Sequence, residues 1–363
     1  MMARQGHWRR PGRRSLPPTT TTIMRHSTFM RYGAGLLLAG ASSAALAQGT
    51  QVQLYGLVGA YLGKMERSGG PAAVTQLGHG GLTTSFWGVR GSEELGGGLK
   101  ATFALESFFQ TDTGGQGRSA ADPLFSRNAN VGLEGGFGRL ALGRQTNPTY
   151  INMALLSPFG NSVVFAPLTL HNFVAGYNGA LVGDTVWNNA VQYTTPRVRG
   201  LAANLIYGLG ETPGSTGTGN LGLHANYVNG PFSAAVSAQR FRTPVTAPLT
   251  QQKGYLAGAA YDFRTVKLYG SLSGSEADGP ENDTRTWDLG LKIPVTVAGA
   301  VLAEYAHTKR TRAGLPENLR RTASIGYDHA LSKRTDVYAV YLRDRQSGFD
   351  AGDSLALGIR HTF

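Results

Sequence analysis

The chain has 363 residues, 51 of them glycine and none cysteine, with 41% hydrophobic residues and a formal charge of +12. No stretch supplies the roughly 18 to 20 consecutive apolar residues that a spanning helix needs, which excludes a helical membrane protein. Nor does the charge point to nucleic acid. Seven of the 34 basic residues and none of the 22 acidic ones precede residue 48, which leaves 27 against 22, or +5, scattered without a basic helix.

Residues 1–23, rich in Arg, Pro and Thr, have no counterpart in an export signal, and Met24 is the expected start of translation. Residues 24–47 read as a signal peptide. Arg25, His26 and Arg31 form the basic end, 32–41 the apolar stretch, and Ala45-Leu46-Ala47 a small-x-small site cut before Gln48. An uncleaved anchor is the alternative, but the apolar stretch is too short to span. An exported chain without cysteine has no disulfide scaffold and needs another way to close on itself.

From residue 51 onward the sequence alternates apolar and polar residues, and helical periodicity of useful length is absent. In 285–293, Trp287, Leu289, Leu291 and Ile293 point one way, while Thr286, Asp288, Gly290 and Lys292 point the other. Segments 322–328 and 354–363 repeat the pattern. Sixteen such segments of about nine to eleven residues are expected, the length a tilted strand needs to cross a bilayer. They begin near Gln51, Gly81, Leu99, Ser126, Gly138, Asn188, Gly200, Leu221, Pro231, Lys253, Thr265, Arg285, Ala298, Arg321, Thr335 and Asp353. Tight turns at 96–98, 135–136, 229–230, 262–264 and 331–334 alternate with longer links at 211–220, 243–252, 276–284 and 309–319. That asymmetry, with an even strand count, predicts a closed antiparallel transmembrane β-barrel. Tyr55, Tyr61, Trp87, Tyr193, Tyr207, Tyr227, Tyr255, Tyr261 and Tyr305 are the expected aromatic girdle, although strand propensity alone accounts for any one of them.

The segments FWGVRGSEELGGGLKATFALESFF (86–109), FSRNANVGLEGGFGRLALGR (125–144), VWNNAVQYTTP (186–196), YDHALSKRTDVYAVY (327–341) and LGIRHTF (357–363) resemble the general diffusion porins of Gram-negative bacteria. The likeness is strongest to the β-proteobacterial branch. It implies a 16-stranded barrel in the outer membrane, assembled as a homotrimer, with the third loop folded inward to narrow a channel for small solutes and ions. That loop would span about 147–187, with Pro158, Phe159 and Gly160 at its tip and Asp184 as its carboxylate. Arg90, Arg127 and Arg144 match wall arginines, whereas Phe86 and Val186 stand where relatives often carry Arg. The terminal Phe363 resembles the signal read by the outer-membrane assembly machinery. Lipopolysaccharide is a further expected partner, since its phosphates can satisfy rim arginines.

Strict alternation from Val131 and Leu133 puts Arg127 outside, whereas the resemblance puts it in the lumen. A lumen whose arginines lack opposing carboxylates would mildly prefer anions. If Phe159, Phe165, Phe173, Tyr177 or Trp187 faced that lumen, the narrow zone would also be less polar than usual. A barrel-rim hydrolase is the competing enzyme reading, but no His stands in a recognisable Ser/His/Asp arrangement. An adhesin with a plugged lumen is the other, and no segment remains to act as passenger or plug. With no Cys and no paired-His spacing, no metal or cofactor is expected.

Overall fold

The computed structural model describes residues 50–177, 184–211, 213, 219–242, 251–278 and 282–363. The expected leader, its cleavage pair Ala47 and Gln48, and the extension before it lie outside these residues. The first strands are β1 (Gln51–Met65), β2 (Val74–His79), β3 (Phe86–Gly96), β4 (Leu99–Phe108), β5 (Asn128–Gly135) and β6 (Gly138–Thr146). Two helices follow, α1 (Pro148–Leu156) and α2 (Pro167–Phe173), and then β7 (Val186–Thr194), β8 (Leu201–Gly208), β9 (Asn220–Asn229) and β10 (Phe232–Phe241). The wall continues through β11 (Gln251–Asp262), β12 (Lys267–Asp278), β13 (Asn282–Pro294), β14 (Gly299–Arg312), β15 (Leu315–Ala330), β16 (Thr335–Gln346) and β17 (Gly352–Thr362).

From β3 to β17 consecutive strands pair antiparallel, and β17 returns to β1 with Leu57 opposite Thr362 and Lys64 opposite Leu355. Phe363 completes the seam by exchanging backbone hydrogen bonds with Gly56 at 3.1 and 3.2 Å. Closure leaves no sheet edge for lipid to meet unpaired. Seventeen strands occupy sixteen wall positions, because β2 and β3 lie end to end along β1, on residues 60–65 and 51–57 respectively. Between them, residues 80–85 leave the ladder. Ser85 Oγ anchors the detour at 3.0 Å to both the N–H and the carbonyl of Gly59. The expected strand start at Gly81 is therefore replaced by a break, and β2 lies ahead of it.

Side chains divide as the dyads require. Leu289, Leu357, Ile359 and Ile325 are exposed on the outer face, while Thr286, Ser324, Ser354 and Ala356 are buried on the inner one. Trp87, Tyr193, Tyr255 and Tyr261 are exposed outward as expected, but Tyr55 and Tyr61 point inward, where one bonds Glu106 and the other packs on Phe165. The turn after β3 uses Gly97 and Gly98 at φ +60° and +79°, a conformation that costs glycine little. The expected link 309–319 is mostly ladder, with Lys309 opposite Leu319 and Arg312 opposite Leu315. Both faces of that hairpin are polar, so alternation carried no signal there. The two helices are also new. At nine and seven residues they are too short to show a helical period.

Candidate pore constriction

The segment after β6 starts as a helix because Asn147 caps it, its side chain accepting the Thr149 N–H at 2.9 Å, with Pro148 preset for the first turn. α1 then lies on the inner face of the wall. Met153 and Leu156 pack on Ala235 and Leu256, and Thr149 Oγ1 donates to Gln239 at 3.0 Å. Ala235 and Gln239 share the buried face of β10, whose other face exposes Val236, and Leu256 stands on the buried face of β11.

Pro158, Phe159 and Gly160 follow α1. Phe159 is buried in a cluster with Phe165, Leu82, Leu302 and Val340, and a side chain at Gly290 would strike the Pro158 ring. Ser162 Oγ donates to Gly81 O at 2.6 Å, so the tip of the segment is tied to the wall detour. Phe165 sits edge-on between Tyr61 and Tyr338, with ring centroids 5.5 and 6.2 Å away.

On the far wall the buried carboxylate of Glu304 takes the Ser157 hydroxyl at 2.5 Å and the Leu168 N–H at 3.0 Å. Asp288 lies against it on β13. Sequence reasoning missed Glu304, although an acid in the middle of a spanning strand is a signal of its own. His171 on α2 is held 2.7 Å from both Thr308 and Thr322. Burial first, then the charge of Arg320, pushes its pKa down to about 3, so the ring is neutral. Arg320, paired with buried Asp344, lies 4.5 Å over the Tyr177 ring and closes the end of the segment.

Phe159, Phe165 and Trp187 are therefore wall anchors, with relative exposures of 2%, 0% and 3%; none presents a ring to passing solutes. Trp187 stacks edge-on against Phe241. Val186 is buried at the start of β7.

The wall from β3 to β6 carries the arginines. Arg127 pairs with Glu106 and lies 4.1 Å over the Phe86 ring. Arg90 lies 4.6 Å over Tyr55 and donates to Gln53 at 2.8 and 3.1 Å. Tyr55 and Phe86 meet edge-on at 6.1 Å, so two guanidiniums flank one aromatic pair. Asn128 and Tyr55 also donate to Glu106. Both Arg127 and Asn128 reach Glu106 because Arg127 stands one residue before β5, where strand alternation does not apply. Glu106 also corrects the expectation that these arginines lack a carboxylate.

Arg144 is set apart. A bulge between Gly143 and Gln145 frees it, and it donates to Ser126 O at 2.9 Å and to Asn188. Its guanidinium is 3.9 Å from Asp184, which is held more closely by Arg118, a residue the sequence reading passed over. Burial opposes charge on Arg118, but hydrogen bonds to Asp184 and Asp122 outweigh it and lift its pKa above the ordinary range. Asp122 is likewise lowered, since Arg118 overcomes the effect of its burial. Asp184 thus sits at the root of the segment, away from the Phe159 tip.

A closed barrel with an apolar exterior, a polar inner face and a helical segment laid along that inner face is a transmembrane channel of the outer-membrane type. The sequence pattern of the Gram-negative porin family matches residues 34–348. Outer membrane porin protein 32 of Delftia acidovorans is 31% identical over 354 residues, covering 90% of this chain and 98% of that one. An outer membrane porin protein of Bordetella pertussis is 29% identical over 91% of this chain and 98% of its own. Among solved structures, an anion-selective porin from Comamonas acidovorans superposes with a TM-score of 0.73 at 27% identity, covering 87% of this chain and all of that one. The chain belongs to the Gram-negative porin family and forms a water-filled outer-membrane channel for passive diffusion of small hydrophilic solutes and ions.

Proposed function

We propose that this porin is mildly anion-selective and that residues 147–187 form its constriction opposite Arg90, Arg127 and Phe86. The observation that carries the reading is the aromatic pair Tyr55 and Phe86 flanked by two guanidiniums, of which, among the described residues, only Arg127 has a carboxylate partner. Arg90 is left with neutral Gln53, so the narrow zone keeps an excess positive charge that concentrates anions. A similar protein described as anion-selective supports the same sign. Pro158, Phe159 and Gly160 act as the loop tip that docks on the wall, and Asp184 with Arg144 and Arg118 fixes the loop root. Phe363 serves as the assembly signal, the barrels associate as a homotrimer, and export ends with cleavage between Ala47 and Gln48. The channel performs no catalysis.

Reversal potentials across planar bilayers in a salt gradient test the selectivity. The wild type should favour anions, and the preference should fade as the Debye length shortens to about 3 Å near 1 M salt. Arg90→Gln and Arg127→Gln should each lower the anion-to-cation permeability ratio by roughly a factor of two, and together reverse it. Cation preference of the wild type at low salt would sink the reading.

A further inference from the structure

The inner face of β14 carries a buried cation that the fold leaves unanswered. Its inward residues run from Glu304 through Thr308 to Arg310, and the first two hold the docked segment through Leu168 and His171. Arg310 comes next toward the long connections, the side that faces outward in such barrels. It is 7% exposed, yet among the described residues no carboxylate pairs with it and its Nε has no acceptor. The charges that act on it are those of Arg312 and Arg320, both cationic. Arg320 is answered by Asp344, whereas Arg310 is not. A buried charge without a counter-charge is costly, so an anion gains more at Arg310 than at an exposed rim cation.

Arg310 lines a cavity of about 530 Å³ between the tip of the β14–β15 hairpin and the β16–β17 connection, a size that takes small organic ligands. A register shift between Arg310 and Arg312 interrupts the ladder there, and Arg312 lines the same cavity. Asn318 stands directly opposite Arg310 on β15. Leu315, Pro316 and Phe349 form an apolar part of the lining, with Leu315 and Phe349 both exposed. Glu317, the carboxylate of the lining, is taken by Lys309.

We propose that this cavity is a capture site for small organic carboxylates with an apolar body, such as an aromatic monocarboxylate. Arg310 donates both arms of its fork to the carboxylate, Asn318 and Arg312 are further donors, and the body lies against Leu315, Pro316 and Phe349. The fork selects a planar carboxylate over a neutral solute, and the apolar lining selects it over chloride or inorganic phosphate. Arg310 lies on the outer side of the docked segment, so the site loads an acid before the constriction admits it. In naming a solute class the site deepens the anion reading and rests on it for passage, but its occupancy is measured separately from ion selectivity.

Isothermal titration of the detergent-purified porin with sodium benzoate tests it. The wild type should show one saturable site per chain. Arg310→Gln should weaken binding about tenfold through loss of charge-assisted contacts, and Arg310→Lys, which keeps the charge but not the fork, should fall between the two. Acetate should bind the wild type about tenfold more weakly than benzoate for want of an apolar body, and Phe349→Ser should narrow that gap. Retained heat-modifiability would show that the variants are folded. The Arg90→Gln/Arg127→Gln double variant should titrate as the wild type does while its reversal potential moves, so a failed selectivity reading and a failed capture site are told apart. Equal benzoate affinity in the wild type and Arg310→Gln overturns the proposal, as does loss of binding with Arg90 and Arg127 instead, or inorganic phosphate that binds as tightly as benzoate.

Discussion

The wall from β11 to β17 and the wall from β1 to β6 are built from the same hairpins, yet they obey different rules. In the first, alternation holds up to a register shift at Arg310–Arg312 near the hairpin end of β14, because one face meets lipid and the other meets the polar interior or the docked segment. In the second, the ladder breaks at 80–85, bulges at Gly143, and delivers Arg127 from outside a strand. The irregular side carries the arginine stack and meets the segment at the 80–85 detour, through Leu82 and Gly81 O. The regular side supplies Glu304, Thr308 and Thr322, fixed points on which the loop hangs. A porin wall thus keeps its period where it acts as scaffold and gives it up where side chains must be aimed.

The largest test of that division is Glu304→Ala. It leaves the Ser157 hydroxyl and the Leu168 N–H without acceptors inside the barrel, at about 1–3 kcal/mol for each orphan. Heat dissociation should shift to lower temperature, and single-channel records should show a larger, noisier conductance as the loop leaves the wall. If the loop is held by the irregular side alone, conductance will be unchanged.

Acid should act on the same scaffold through His171. In the fold its ring is neutral down to about pH 3, whereas in the unfolded chain it takes a proton near 6.5. Protonation therefore favours the unfolded chain; stability is full above pH 6.5, falls as pH drops below it and levels off near 3. At pH 5 the loss is about 2 kcal/mol for this group. His171→Gln keeps a donor and an acceptor for the two threonines and should flatten the acid dependence of heat dissociation between pH 7 and 4. An unchanged slope in the variant would assign acid sensitivity to other groups.

Most of the scaffold was legible in the sequence. Leu289, Leu357 and their polar neighbours face as the dyads required, and strand starts such as Leu99, Gly138 and Thr335 coincide with those observed. The motif at 86–109 already contained Phe86, Arg90 and Glu106, but nothing in one strand says that Glu106 will meet Arg127 across the ladder. Pairings of that kind depend on register, which is a property of two strands. Helices α1 and α2 were hidden for a different reason: their stability comes from packing on a wall assembled from distant sequence. The detour was hidden because β2 is only six residues long.

The finest probe of the comparison is Gly81, where the two sides touch. Its φ of +93° is strained for any other residue, and an added Cβ would lie 1.8 Å from the Tyr338 hydroxyl of the regular wall. Gly81→Ala should cost about 1–3 kcal/mol from backbone strain alone, before the collision is counted. Tyr338→Phe removes the nearest atom but leaves ring carbon Cζ, 3.0 Å from the same point, so rescue in the double variant should be partial. The coupling, read as the difference between the double variant's heat-dissociation shift and the sum of the single shifts, measures how tightly the detour is wedged. Because Gly81 O also accepts the Ser162 hydroxyl, a displaced detour should loosen the loop tip, and Gly81→Ala should raise channel noise where Tyr338→Phe alone does not. Additive shifts with no change in noise would mean that the detour only fills space beside the loop and does not hold it.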